Sequence, residues 1–147
     1  MRTVSLMPRL ERIEQLSDED RKAVIAPLDE YTTGEGFAWA PKEIAIVLRD
    51  EDGTIVGGVI GQANWEWLFV YQLAVSVRLR GQGWGARLMA EIERIAVEEY
   101  GCHSAWLDTF SFQARPFYER VGYRVFGELP DYPTGHTRFF MAKRLRA

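Results

Sequence analysis

Residues 80 to 86 read Arg80-Gly81-Gln82-Gly83-Trp84-Gly85-Ala86, a glycine-rich turn with an apolar, β-branched stretch before it and a helical pattern after it. A strand that passes through such a turn directly into a helix presents several unpaired backbone amides at the helix's positive end, which is an anion-binding arrangement. Glycine lets the backbone approach oxygen atoms closely and adopt positive φ, both of which a Cβ obstructs. Arg80 adds a positive charge at the same place. The spacing serves compact strand-to-helix packing equally well, so the turn alone leaves both readings open. No Lys-Ser or Lys-Thr pair follows the glycines, which excludes a Walker-type phosphate loop.

Gly81, Gly83 and Ala86 also fit the dinucleotide form G-x-G-x-x-G/A, and Asp108 stands 22 residues beyond Ala86. A Rossmann-type oxidoreductase is therefore an alternative. Against it, about seventy residues of helix and antiparallel strands are expected before the turn, and one crossover after it.

The elements that must hold the turn can be read on both sides. Ser17 followed by Asp18, Glu19 and Asp20 is a helix start, with a capping hydroxyl and acids at the positive end of the helix dipole. The helix is predicted from Asp18 to Tyr31, kinked or split near Ala26 because Pro27 lacks an amide hydrogen. Before it, Val4, Leu6, Leu10 and Ile13 fit either a short strand or a strand and one helical turn. Thr32 to Pro41 reads as a loop. Ile44 to Leu48 and Thr54 to Ile60 form a hairpin about Asp50-Glu51-Asp52-Gly53.

Glu66 to Val77 is long for one strand, and a bend or bulge is expected inside it. From Trp84, residues Leu88, Met89, Ile92, Ile95 and Ala96 recur at helical spacing until Gly101 ends the helix. A strand about Ala105-Trp106-Leu107, a helix from Gln113 to Arg120, a strand from Tyr123 to Leu129, a loop from Pro130 to His136 and a strand from Thr137 to Leu145 complete the order. The class is mixed α/β, with hairpins first and one central strand-helix-strand crossover carrying the turn.

The 147 residues suit a single domain with a real core. A net charge of -3 gives no basic face for a phosphate backbone, so nucleic acid is not an expected partner. Lys143, Arg144 and Arg146 read as a solvated chain end. Cys102 is the sole cysteine, which rules out an intramolecular disulfide and any cysteine cluster for a metal, and suits a reducing compartment. Met1 to Leu16 carries Arg2, Arg9, Glu11, Arg12 and Glu14, leaving no apolar stretch for a signal peptide or membrane span. A cytoplasmic location without a membrane partner is expected.

The stretch from Leu73 through Ala74, Val75, Ser76 and Val77 to Ala86 resembles the acetyl-CoA signature of the GNAT N-acetyltransferase superfamily, whose core is R/Q-x-x-G-x-G/A. Arg80, Gly83 and Gly85 occupy those positions. Ala114-Arg115-Pro116-Phe117-Tyr118-Glu119-Arg120-Val121-Gly122-Tyr123 resembles the family's later segment, A-x-x-F-Y-x-x-x-G-F/Y. The resemblance covers roughly Ile55 to Tyr123 and implies a GNAT-like α/β (α+β) fold, a largely antiparallel sheet flanked by helices. It implies acetyl-CoA bound by Leu73, Ala74, Val75, Val77, Arg80, Gly81, Gln82, Gly83, Trp84, Gly85 and Ala86. Two positions depart from the pattern. Ser111 replaces an asparagine that contacts the cofactor arm in many members, with Gln113 as a nearby substitute, and Trp84 replaces a small aliphatic residue.

The implied reaction is N-acetylation of a small-molecule or protein amine by direct attack on the thioester. An alkylamine with a pKa near 10.4 is mostly protonated at neutral pH, so a base or water chain must strip it. Glu66, Asp108, Asp131 and His136 are all candidates, and no spacing selects one. The resemblance implies that amides near Val75 stabilise the tetrahedral oxyanion and that Tyr118 protonates the departing thiolate. No metal is implied. A non-catalytic acyl-CoA-binding module is the rival reading, and exposed edge strands make a homodimer an expectation.

Overall fold

A computed structural model describes residues 7–147 and divides the chain into two compact units, Met1–Trp39 and Ala40–Ala147. Val4 and Leu6 lie outside the described residues, and residues 7–17 contain no helix or strand.

In the first unit α1 spans Asp18–Gly34. Ser17 caps it, its hydroxyl accepting the Asp20 amide at 3.0 Å, with three acids in the first turn. The helix is not split near Ala26, and Pro27 sits inside one continuous helix. A proline deletes one amide hydrogen bond, whereas the capped start and the full turns on either side of Pro27 keep theirs.

The second unit is a six-stranded sheet in the order β1-β2-β3-β4-β6-β5. β1 (Lys42–Arg49) and β2 (Ile55–Asn64) form the predicted hairpin, and β3 (Trp67–Val75) adds antiparallel to β2. The chain then passes through α2 (Trp84–Tyr100) to β4 (Ser104–Phe110), which lies parallel to β3. α3 (Arg115–Arg120), β5 (Arg124–Pro130) and β6 (Thr137–Arg144) follow, and β6 inserts antiparallel between β4 and β5. The fold is thus a mixed α/β sheet, mostly antiparallel and flanked by helices, with one parallel pair among the described strands.

Several boundaries differ from expectation, among them β2, which runs on to Asn64 and not Ile60, and α1, which ends at Gly34 and not Tyr31. β3 ends at Val75 and not Val77, because Val77–Leu79 turns into a single 3-10 turn. α3 begins at Arg115, since Gln113 is spent in a turn that bonds back to Phe110. The last strand stops one residue early, at Arg144.

The expected bulge is present. Ile60 pairs with Gln72 and Gly61 with Val70, which leaves Tyr71 as an extra residue on β3. Such a bulge bends its strand and increases the local twist. The parallel register between β3 and β4 covers Trp67↔Ser104, Leu68↔Ala105 and Phe69↔Trp106 and stops there, just before the bulge. β4 meanwhile stays paired with β6 along its whole length, from Ser104↔Arg144 to Phe110↔Arg138. The two strands therefore part, and a cleft opens between them.

α2 closes one face of the sheet. Leu88, Met89, Ile92 and Ala96 are buried, at the 3.6-residue spacing read in the sequence. Gly61 makes room for this helix, since a Cβ there would stand 3.1 Å from Ile92 Cδ1 and 2.7 Å from the Phe69 carbonyl oxygen. The buried Glu93 accepts hydrogen bonds from Tyr123 Oη at 2.9 Å and Lys143 Nζ at 2.7 Å, tying α2 to β6 and to the entry of β5. Gly101, at φ 69°, ends α2 as expected.

Because Ile92 is fully buried at this junction, Ile92→Ala should destabilise the protein by about 2–5 kcal/mol. The shift in urea denaturation midpoint at constant slope checks it.

Candidate active site

The cleft between the parted strands has a volume of about 1070 Å³. One wall is the end of β3, where Leu73, Ala74 and Val75 line the opening beyond the last pairing with β4. An unpaired strand edge retains amide donors and carbonyl acceptors that an extended, amide-containing ligand can satisfy. The opposite wall is β4 and α3, with Asp108, Gln113, Phe117 and Tyr118.

The glycine turn forms one end of the cleft. Gly83 is the N-cap of α2 at φ 83° and supplies no side-chain cap, so the first amides of the helix are left without a capping partner. The first bond within the helix is Arg87 N–H to Gly83 O at 3.1 Å. Gly81 is at φ 77°, and a Cβ on either glycine would meet nothing within 4 Å. Both therefore hold backbone conformations that side chains resist, beside open space. Gly85 differs, because a Cβ there would come within 3.2 Å of the Phe117 ring. It allows α2 and α3 to touch. Arg80 donates from Nε to the Val75 carbonyl at 3.4 Å, linking the turn to the end of β3.

Tyr118 lies on α3, buried at 8% exposure, with its ring edge-on to Phe117 and to Tyr123. Burial first, and then the Asp108 charge, raise its phenol above the ordinary value of 10.0. The phenol therefore stays protonated throughout the physiological range. Asp108 Oδ1 accepts from Arg138 Nε at 2.9 Å and Nη2 at 2.8 Å.

Several residues expected at the cofactor lie elsewhere. Ser111 turns to β6, its hydroxyl accepting the Thr137 amide at 3.1 Å and sharing a hydrogen bond with His136 Nδ1 at 3.1 Å. Gln113 lines the cleft instead, its Oε1 held by the Phe110 amide at 3.3 Å. Val77 is in the 3-10 turn, and Gln82 lines a neighbouring groove with Asp50 and Arg78. Trp84 borders both openings and lies 4.4 Å beneath the Arg87 guanidinium. Arg80, Gly81, Gly83, Gly85 and Ala86 all line the cleft.

Of the four candidate bases, Asp108 alone lines the cleft. Glu66 sits 3.8 Å from Arg146 at the far end of β3. Asp131 accepts the Gly135 amide at 3.3 Å within its loop, and His136 is engaged with Ser111. Sequence reasoning missed Tyr71, Thr109 and Phe112, which also line the cleft. Tyr71 is the bulge residue, and the bulge itself was the available signal, although its exact position was not.

A family model described as acetyltransferase (GNAT) family matches residues 10–123, and the chain belongs to that family. It is 39% identical over 140 residues to a blasticidin-S acetyltransferase of Streptomyces morookaense, covering 95% of this chain and 100% of that one. It is 32% identical over 126 residues to an acetyltransferase of Agrobacterium fabrum, covering 86% and 91% of the two chains. Among solved structures, an acetyltransferase from Bacillus cereus superposes with a TM-score of 0.79 at 34% identity, over 91% of this chain and 97% of that one. The protein is an acetyltransferase, and its acetyl donor is acetyl-CoA.

The residues present fit this donor. Gly81 and Gly83 leave open space for a phosphate against the α2 amides, and the parted edge of β3 matches an amide-bearing arm. Among the described residues no group of three or more His, Cys, Asp or Glu could hold a metal ion, and no helix is long and apolar enough to cross a membrane.

Replacing Gly83 by alanine forces a Cβ into a positive-φ position at the mouth of the cradle. Gly83→Ala should weaken acetyl-CoA binding by about tenfold, since about 1–2 kcal/mol of strain at this φ drives the unliganded turn away from the conformation that presents its amides. Calorimetric titration measures it.

Proposed function

We propose that the protein transfers the acetyl group of acetyl-CoA to a primary amine of a small molecule or protein by direct attack of the amine on the thioester. The observation that carries this reading is the single cleft that holds the helix-capping glycine turn, the unpaired end of β3 and the buried phenol of Tyr118 together. A relative of matching length that is named a blasticidin-S acetyltransferase supports a small-molecule acceptor.

Each residue has a part in this chemistry. The α2 amides and Arg80 bind the pyrophosphate of the donor, and Gln113 stands where Ser111 was expected, beside the donor's arm. Backbone amides near Val75 donate to the oxyanion as the carbonyl becomes tetrahedral. Tyr118 then gives its proton to the departing sulfur. Its raised pKa keeps that proton in place until a thiolate develops to take it.

The same reading makes the chain one domain, since the family match runs from Leu10 to Tyr123 across both compact units. The net charge of -3 supports an enzyme that acts without nucleic acid, and the sole cysteine suits a reducing, cytoplasmic compartment. β1 and β5, the two edge strands, are where a homodimer would pair.

Purified protein titrated with acetyl-CoA, CoA and NAD should bind the first two, and a panel of amines screened by thiol release should identify an acceptor. Binding of NAD without CoA would overturn the reading. With a working amine, Tyr118→Phe should lower kcat by about 100-fold while leaving acetyl-CoA affinity intact. An unchanged rate would remove Tyr118 from the mechanism.

A further inference from the structure

An amine must lose a proton before it can attack, and Asp108 is poorly placed to take one because Arg138 already holds its Oδ1 through two nitrogens. A second carboxylate is connected to the same cleft through a phenol. Tyr71 lines the cleft, and its hydroxyl donates to Glu43 Oε2 across the sheet. Glu43 lies on β1 opposite Gln62, which itself pairs with Phe69 on β3, so the Glu43 and Tyr71 side chains meet by bridging β2 from both sides.

The placement of Tyr71 follows from the bulge. As the extra residue between Val70 and Gln72 it has no partner in the ladder with β2, and it stands where β3 has just left β4. Its ring packs 5.7 Å from Phe69, which stacks on Trp106 at 4.1 Å. The aromatic row holds the Tyr71 ring beside the fork of the two strands, with its hydroxyl turned toward Glu43. Glu43 is exposed, so a proton that reaches it passes on to solvent.

We propose that Tyr71 and Glu43 form the proton relay that deprotonates the acceptor ammonium, Tyr71 taking a proton from nitrogen as it hands its own to Glu43. This rests on the amine-transfer reading above. The neutral nitrogen then forms the C–N bond, the C–S bond breaks, and the sulfur takes the Tyr118 proton. The second proton lost by nitrogen restores Tyr118, and Glu43 releases the first to water. The overall products are the amide, CoA thiol and one proton. The hydrogen bond to Glu43, first, and burial raise the Tyr71 phenol above its ordinary value. Tyr71 therefore passes protons along and does not carry the negative charge itself.

Tyr71→Phe, Glu43→Gln and the double variant test the relay, using an alkylamine acceptor found in the screen and a weakly basic amine that is already neutral at pH 7. With the alkylamine each single variant should lose about 100-fold in kcat, the usual scale for a general base, and the double variant should lose no more than the worse single one. With the weakly basic amine the variants should run near the wild-type rate, and acetyl-CoA affinity measured by calorimetry should be unchanged in all three. Equal losses with both amines, multiplied losses in the double variant, or no loss at all would each overturn the relay. If the wild-type enzyme acetylates no amine, the transfer reading fails and takes the relay with it. If it is active and the variants match it, the relay alone fails.

Discussion

The parting of β3 from β4 is the constraint from which the rest of the second unit follows. Parallel strands share a full ladder when nothing prevents it, yet here the pairing covers only Trp67 to Phe69 on β3. Two commitments compete for the sheet beyond that point. β3 remains bound to β2 through Val75, with a bulge at Tyr71 that turns it, and β4 remains bound to β6 to its end. Neither strand can follow both partners. The unpaired stretch then has backbone groups that a ligand can satisfy, and α2 begins at the same fork with its own amides uncapped.

Holding the fork open requires that the β4 wall not collapse onto β3. Side chains on both faces of β4 and β6 supply that rigidity. On one face the buried Glu93 is bonded by Tyr123 and Lys143, and burial together with the Glu93 charge raises the Tyr123 phenol far above its ordinary value. On the other, Arg138 joins Asp108 and lies over the rings of Phe110, Tyr132 and Phe140. Tyr118 stands between these arrangements. Buried, and close to the Asp108 charge, it keeps its proton without any direct partner on its hydroxyl being needed to explain the shift.

The glycines of the turn divide the work of one short motif. Gly81 and Gly83 hold positive φ next to open space, whereas Gly85 gives α3 its close approach through Phe117. A sequence pattern that reads as three equivalent glycines thus serves two physical ends. Phe117 serves both ends, its ring packing the helix pair while it lines the cleft beside Tyr118.

Local chemistry was enough to specify the Ser17 cap, the stripe of Leu88, Met89, Ile92 and Ala96, the Gly101 stop and the β1–β2 hairpin, because each depends on neighbours within a few residues. The turn, with the motif around Tyr118, was legible for the same reason. Pro27 does not split α1, because the local loss of one hydrogen bond is outweighed by the continuity of the helix around it. What only the tertiary structure decided was pairing at a distance: the insertion of β6 between β4 and β5, the residue at which the bulge falls, and the turning of Ser111 toward His136 and Thr137. Those choices also decided which candidate bases line the cleft: Asp108 does, Glu43 is bonded to the cleft-lining Tyr71, and Glu66, Asp131 and His136 are engaged elsewhere. Residue types carry information about a side chain's immediate backbone, but the partner it meets across a sheet is set by register, and register is a property of the packed whole.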